Sequence, residues 1–223
     1  MLMLKEPFIM INFKTYKEGT GKNAENLVKK LSKIKGNIVF CPQIADLKCL
    51  RKYNVKLFAQ HVDPIDFGKH TGWILPESLK EAGAIGTLIN HSEHPLSFDD
   101  IKRCISACKR AKLISVVCSP NKKMSELVAK LNPDYIAIEP PELIETGIAV
   151  SQARPKLIYD SVAAIKKVST DVKVICGAGI TKGEDVKRAL ELGVVGVLVS
   201  SAILKAKNPE NVLEDMVKNA NFI

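Results

Sequence analysis

No stretch of the 223-residue sequence approaches the roughly 18 consecutive apolar residues that cross a membrane. Residues 1–11 are apolar but contain Lys5, Glu6 and Pro7, and they lack the cleavage pattern of a secretory signal peptide. No segment has the composition of a disordered tail, since hydrophobic residues make up 46% and charged residues 26% of the chain. We therefore expect a cytoplasmic protein that folds as one domain over residues 1–223 and has no membrane partner.

The six cysteines lack the Cys-x-x-Cys spacing of metal and redox sites. Their scattered positions predict small buried side chains in a reducing compartment. Cys104 and Cys108 lie four residues apart on a predicted helix and share one face, but a metal site would need two further ligands. We expect no metal and no cofactor.

The basic residues are not gathered into one run, although lysine and arginine outnumber aspartate and glutamate by 33 to 24 and give a formal charge of +9. Only residues 107–112 are locally dense in positive charge. A spread of this kind indicates a positive field that attracts small anions such as phosphate esters. We expect no nucleic-acid partner.

Short β-branched runs recur along the chain, each followed by a segment with helical character. The runs cover residues 8–13, 37–41, 56–61, 85–91, 113–118, 135–139, 172–177 and 194–200. They are continuously apolar, as strands covered on both faces must be, and their strict alternation with helices predicts a parallel sheet. Eight such units favour a closed (β/α)8 TIM barrel over an open doubly wound sheet, and the first turn lacks the glycine fingerprint of a dinucleotide fold.

Polar residues stand where the predicted strands end. In a parallel barrel the carboxyl ends of the strands face the active site, so we expect these residues to lie at the same end of the barrel. They are Asn12, Lys14, Cys41, Gln60, His61, the four residues 90–93, Cys118, Ser119, Glu139, the three residues 177–179, Ser200 and Ser201.

Glu139 ends the sixth predicted strand and is followed by two prolines. Pro140 and Pro141 fix φ and remove two backbone donors, which leaves the start of the next loop few conformations. The loop to Gly147 is long enough to close over a ligand. Taken alone, a glutamate at this place is also typical of a side chain that faces solvent.

Asn12, Lys14 and His91 also end predicted strands. Asn12 and Lys14 lie two positions apart, which places them on the same face of the first strand. A lysine in a barrel mouth is costly to bury unless a negative group lies beside it. Singly, Lys14 is typical of a solvated charge, and His91 of a packed or exposed histidine.

Five blocks of sequence together resemble the triosephosphate isomerase family in its short archaeal form. They are Asn-Phe-Lys at residues 12–14, His-Ser-Glu-His at 91–94, Glu-Pro-Pro at 139–141, Cys-Gly-Ala-Gly-Ile at 176–180 and Gly-Val-Leu-Val-Ser-Ser-Ala at 196–202. The match is collinear over residues 12–202, with each block on the strand where the family carries it.

The resemblance implies interconversion of dihydroxyacetone phosphate and D-glyceraldehyde 3-phosphate, a step of glycolysis and gluconeogenesis. It implies that Glu139 takes the proton from the carbon next to the carbonyl. It further implies that His91 polarises the substrate oxygens and passes a proton between them, and that Lys14 supplies positive charge. Asn12 would bind the substrate through a hydrogen bond, and Glu93 would support Lys14 as its charge partner. This chemistry needs one base, donors at two adjacent oxygens and a fixed positive charge.

The phosphate of the small phosphorylated triose is expected between the seventh and eighth strands. Gly177 and Gly179 would expose backbone N–H groups, and Ser200 with Ser201 would begin a short helix whose amino end favours an anion. Ile144, in the loop after Glu139, would cover the site and exclude water.

Three features depart from the commoner pattern of the family. The loop after Glu139 lacks a tryptophan, the eighth strand ends in Ser-Ser instead of a glycine pair, and the fourth and fifth units are short. Short units expose apolar helix surface, which subunit association can cover. Because residues 66–73 also resemble the subunit-clasping loop of the family, we expect a homo-oligomer, with a tetramer favoured over a dimer.

Other functions remain open from the residues alone. Lys14 could form a Schiff base in an aldolase, or the chain could be another phosphate-binding barrel enzyme such as an isomerase of amino-acid biosynthesis. His91 and His94, three residues apart, could hold a metal ion. A basic nucleic-acid-binding module is the non-enzymatic alternative.

Overall fold

The structure is a computed structural model and describes residues 4–140 and 150–220. Within these residues, eight parallel strands form a closed barrel in which each strand pairs with the next and the last pairs with the first. The strands are β1 (Phe8–Asn12), β2 (Ile38–Cys41), β3 (Lys56–Ala59), β4 (Ala84–Ile89), β5 (Ile114–Ser119), β6 (Tyr135–Ile138), β7 (Lys173–Gly177) and β8 (Gly196–Val199). The predicted (β/α)8 barrel is confirmed.

Helices follow the strands and cover the outside of the barrel. They are α1 (Lys22–Leu31), α2 (Ile44–Leu50), α3 (Pro76–Glu81), α4 (Phe98–Ala111), α5 (Lys122–Ala129), α6 (Val150–Ala153), α7 (Pro155–Val168), α8 (Gly183–Glu191), α9 (Ser201–Leu204) and α10 (Pro209–Ala220). Short 3-10 turns lie at Lys17–Gly19 and Arg51–Tyr53. The short helix expected at Ser200 and Ser201 is present as α9, and α6 is an addition to the predicted units.

Alternation along each strand divides the apolar residues between two cores. Phe8 and Met10 point into the barrel, whereas Ile9 and Ile11 pack against the helices outside it. Because both faces are buried, the strands must be apolar at every position, which explains the continuous runs in the sequence.

The inward-pointing series carries polar groups to the mouth of the barrel. Phe8 and Met10 are followed at the next inward position by Asn12, and Tyr135 and Ala137 are followed by Glu139. The strand period that fills the core therefore also aims these two side chains at one end of the barrel.

The interior leaves little room beside its aromatic residues. A Cβ added at Gly86 would lie 2.3 Å from the ring of Phe58 on the neighbouring strand. Glycine at this position lets the phenylalanine fill the centre of the barrel.

The connection between β3 and α3 is fixed to α4 by one arginine. Arg110 donates from Nη2 to the carbonyl of Ile65 at 2.7 Å, and it forms ion pairs with Asp66 at 2.6 Å and Glu77 at 2.8 Å. Phe67 and Trp73 nevertheless remain 77% and 55% exposed. The connection therefore presents two large apolar side chains on a firmly held support.

Among the described residues, no helix has both the length and the apolar character that a membrane span requires.

Candidate active site

One hollow at the carboxyl ends of the strands brings together residues that are far apart in sequence. The predicted site residues that line it are Asn12, Lys14, His91, Glu139, Gly179, Ser200 and Ser201. Ala178, Ile180, Thr181, Leu198 and Val199 complete its wall. Glu93 lines an adjoining hollow that shares Asn12, Lys14 and His91 with the first.

Glu139 is 5% exposed and directs its carboxylate into the hollow. Its backbone N–H donates to the carbonyl of Ser119 at 2.9 Å, which extends the pairing of β6 with β5 by one residue. Within the described part of the chain, Oε2 of Glu139 has no hydrogen-bond partner. A buried carboxylate oxygen without a donor is costly for stability, and such a cost is typical of a side chain kept for function.

Gly177 makes room for this carboxylate. A Cβ at Gly177 would lie 2.4 Å from Cγ and 2.7 Å from Oε1 of Glu139. Gly177 does not itself line the hollow, unlike Gly179 two residues later. Its geometry therefore supports a role in placing Glu139, and the expected contact of Gly177 with phosphate has no support from the lining of the hollow.

His91 presents Nε2 to the hollow. The backbone N–H of Glu93 donates to Nδ1 of His91 at 3.2 Å, so Nδ1 carries a lone pair and the ring hydrogen of a neutral imidazole lies on Nε2. Nε2 lies 3.9 Å from Oε1 of Glu139, too far for a hydrogen bond. Both groups can therefore face a ligand between them.

Lys14 is a nearly buried cation with a carboxylate partner. Its side chain is 9% exposed, and Nζ lies 2.6 Å from Oε1 of Glu93, whose side chain is 52% exposed. Burial of an ammonium is costly unless it is paired, and Glu93 supplies the pairing. Glu93 thus joins Lys14 and the backbone contact to His91 in one network.

The backbone of Lys14 takes a left-handed conformation, with φ of 47°. Oδ1 of Asn12 accepts the N–H of Lys14 at 3.0 Å, and Nε2 of Gln60 donates to the carbonyl of Lys14 at 3.0 Å. The same nitrogen of Gln60 donates to the carbonyl of Cys41 at 2.9 Å. A non-glycine residue holds this conformation only with such support. Asn12 and Gln60 therefore fix the backbone position from which the Lys14 side chain extends.

The opposite wall contains backbone turns and the start of a helix. Ala178 and Gly179 both have positive φ, 74° and 70°, and α9 begins beside them at Ser201. Consecutive turn residues and a helix start present backbone N–H groups, which suits an anion. Ser200 donates its hydroxyl to the carbonyl of Asn12 at 2.7 Å and so ties this wall to β1.

A pair of stacked histidines lies in the adjoining hollow. The rings of His61 and His94 are 4.0 Å apart and inclined by 18°, and Nε2 of His61 lies 3.2 Å from Oδ1 of Asp63. Burial lowers the pKa of His61, against an opposing effect of Asp63, and His94 lowers it further. The ring of His94 thus pairs with His61, although its backbone N–H donates to the carbonyl of His91 at 2.8 Å.

Over residues 4–140 and 150–220, histidine, cysteine, aspartate and glutamate form no group of three or more that could hold a metal ion. The metal site considered for His91 and His94 therefore has no third ligand in the described structure.

Five of the six cysteines are buried, and Cys49 is exposed, which corrects the expectation that all are interior. Cys118 and Cys176 lie near the active-site carboxylate, where burial and then the charge of Glu139 raise the pKa of both thiols. Both thiols therefore stay neutral and can pack near Glu139 as apolar side chains.

Ile144, the predicted cover of the site, and the loop that carries it lie outside the described residues. Gln60 was noted only as one of the residues at the strand ends, and its contacts with two carbonyls could not be read from the sequence. Its amide next to the predicted end of the third strand was the one available signal.

A barrel with a carboxylate, an imidazole and an ammonium group around one hollow, opposite backbone turns and a helix start suited to an anion, defines a class of protein. It is a phosphate-binding (β/α)8 enzyme of the kind that moves protons beside a carbonyl group.

Comparison with known proteins identifies the family. The family model described as triosephosphate isomerase matches residues 7–220. The triosephosphate isomerase of Methanothermus fervidus is 46% identical over 219 residues, covering 96% of this chain and 99% of the relative. That of Methanocaldococcus jannaschii is 48% identical over 215 residues, covering 94% and 98%. The chain belongs to the triosephosphate isomerase family and is an isomerase.

Proposed function

We propose that the protein interconverts dihydroxyacetone phosphate and D-glyceraldehyde 3-phosphate, with Glu139 as the base and His91 as the electrophile. The observation that carries the proposal is the convergence of Glu139, His91, Lys14 and Asn12 on one hollow beside a backbone wall suited to an anion. Asn12 ends β1, and the other three residues follow β1, β4 and β6, so only the closed barrel brings them together.

Glu139 moves the proton between the two carbons of the substrate. Its buried carboxylate lines the hollow and accepts the proton from the carbon next to the carbonyl. The electron pair left on the carbon moves onto the carbonyl oxygen and forms an enediolate. Return of the proton to the neighbouring carbon, together with transfer of the hydroxyl proton from one substrate oxygen to the other through Nε2 of His91, completes the interconversion.

His91, Asn12 and Lys14 stabilise the charge that develops on the oxygens. Nε2 of His91 donates to an oxygen of the enediolate, because Nδ1 already accepts from the backbone of Glu93. The ammonium of Lys14 supplies positive charge from a position fixed by Glu93 and by Asn12. Preorganised donors of this kind contribute most where water is excluded.

The phosphate group lies against the backbone wall of β7 and β8. Gly179, Ser200 and Ser201 present N–H groups to it, and the wall carries no acidic side chain among its described lining residues. Ile144 remains in the proposal on sequence grounds alone, as an apolar cover over the site.

A coupled assay with glyceraldehyde 3-phosphate, without added cofactor, tests the function. Glu139→Asp withdraws the carboxylate by about one methylene, and a displacement near 1 Å can lower kcat on the order of a hundredfold. KM should change much less. Glu214→Asp makes the same substitution on the exposed face of α10 and should leave kcat unchanged. If Glu139→Asp keeps full turnover, Glu139 is not the base.

The same preparation separates the remaining alternatives. An aldolase that uses Lys14 would be trapped as a covalent adduct by borohydride with substrate, whereas the isomerase forms none. A metal enzyme would lose activity in chelator, and a nucleic-acid-binding module would bind DNA or RNA in a salt-sensitive manner.

We further infer a cytoplasmic homo-oligomer, with a tetramer favoured over a dimer. All six cysteines are unpaired thiols, which suits a reducing compartment. Phe67 and Trp73 are exposed on the connection held by Arg110, and the burial of such side chains favours association. Light scattering of the purified protein measures the oligomer directly, and a monomer at micromolar concentration would contradict the inference.

A further inference from the structure

The barrel closes between its first and last strands, directly beside the active site. Ile11 and Val199 are the final paired residues of β1 and β8, and Asn12 and Ser200 follow them directly in sequence. The hydroxyl of Ser200 donates to the carbonyl of Asn12 at 2.7 Å and links residues 188 positions apart. A side chain thus continues the pairing of the two strands one step beyond the ladder.

This hydroxyl does not serve the helix that it precedes. Serine at the residue before a helix commonly accepts a hydrogen bond from one of the first backbone N–H groups. Ser200 makes no side-chain capping bond to α9. Because a hydroxyl has only one hydrogen to donate, Ser200 cannot donate to a phosphate through its side chain while it is bonded to Asn12.

The bond acts on a residue whose other groups are also committed. Asn12 receives Ser200 on its carbonyl, while its Oδ1 accepts the N–H of Lys14, which stands in the left-handed conformation. A rotation of Asn12 would therefore shift the start of the Lys14 side chain. Asn12, Lys14 and Ser200 all line the same hollow.

We propose that the Ser200 hydroxyl is a positioning group that holds Asn12 and Lys14 in register with the phosphate-binding wall. The inference rests on the proposed function and adds a role for this side chain distinct from phosphate contact. A substrate held by its phosphate then meets the catalytic groups at a fixed distance. Loss of the bond should lower kcat more than it raises KM, because alignment is needed most in the transition state.

Ser200→Ala removes the hydroxyl without adding bulk. With glyceraldehyde 3-phosphate we expect kcat about tenfold lower, comparable to the loss of one hydrogen bond in the transition state, and KM changed less than about threefold. Ser200→Thr keeps the hydroxyl and should recover most of kcat. Glyceraldehyde without phosphate does not engage the wall, so its slow turnover should change much less than that of the phosphorylated substrate.

Ser106→Ala is the matched control. Its hydroxyl also donates to a backbone carbonyl, that of Lys102 at 3.1 Å, but on the exposed face of α4. This variant should keep wild-type kcat and KM. Ser200→Gly also lacks the hydroxyl and tests the same bond if Ser200→Ala does not fold, with circular dichroism as the check of folding.

Two outcomes overturn the inference alone while the wild type is active. Unchanged kcat with a lower Tm would show a merely structural bond, and a raised KM with unchanged kcat would show direct phosphate contact. A wild-type protein inactive toward glyceraldehyde 3-phosphate would instead overturn the proposed function and this inference with it.

Discussion

The two sides of the hollow are built in different ways. On the side of β1 and β4, charged and polar side chains place one another, with Glu93 contacting both Lys14 and the backbone-held ring of His91. On the side of β6 to β8, the position of Glu139 depends on the missing side chain at Gly177 and on backbone turns. On the first side, loss of one contact leaves the other contacts in place. On the second side, Glu139 packs so closely on Gly177 that no added atom can be accommodated without displacing the carboxylate.

The difference predicts that Gly177→Ala has the largest effect. The added Cβ would overlap the side chain of Glu139 and displace the carboxylate, so kcat should fall on the order of a hundredfold with little change in KM. Steady-state kinetics on the folded variant measures the effect.

A double variant identifies the cause. In a Glu139→Asp background the carboxylate is shorter, so adding Gly177→Ala should cost clearly less than it does in the wild type. Strictly additive losses would mean that Gly177 acts by another route.

On the side-chain wall, Glu93→Gln should have an intermediate effect. The amide keeps the size of the side chain but leaves the ammonium of Lys14 without this carboxylate partner, and we expect kcat/KM to fall about tenfold. Glu126→Gln removes the exposed carboxylate that pairs with Lys122 at 3.9 Å on α5, and it should have no effect. Equal kinetics for the two variants would place Glu93 outside the catalytic network.

The smallest expected effect is that of His61 on the pH dependence of stability. Burial lowers its pKa, so the unfolded chain binds the proton more readily than the folded chain. The contribution of neutral His61 to stability is full above the unfolded value of about 6.5 and declines as pH falls toward the lower folded value.

His61→Asn should therefore reduce the loss of Tm between pH 7.5 and pH 5.5, by on the order of 2 °C. His94 and Asp63 face the same ring and remain in the variant, so they serve as the internal reference. Thermal unfolding at several pH values gives the comparison, and an identical slope in the variant would contradict the assignment.

Most of the fold could be predicted because its determinants are local. Buried strands must be apolar at every position, and each is followed by a helical segment, so the eight units are visible in sequence. The predicted runs extended up to two residues too far, as at His61 and His91, where β3 ends at Ala59 and β4 at Ile89. Polar residues at these places leave the ladder to face the hollow.

The site could be located but not assembled from the sequence. The polar residues at the predicted strand ends indicated where the site lies, and the family resemblance implied the roles of Glu139 and His91. Contacts between distant residues carried no local signal: the fit of Glu139 over Gly177, the two carbonyls bound by Gln60, and the Ser200 hydroxyl bound to Asn12. Each depends on which rotamer the finished barrel permits.

The position of the barrel closure has a consequence during biosynthesis. Asn12 leaves the ribosome early, but its carbonyl finds the hydroxyl of Ser200 only after β8 has been made and has docked on β1. A nascent chain that stops before residue 196 would hold Lys14, His91 and Glu139 and still lack one wall of the hollow. The onset of turnover in a synchronised translation reaction would thus report the docking of the last strand.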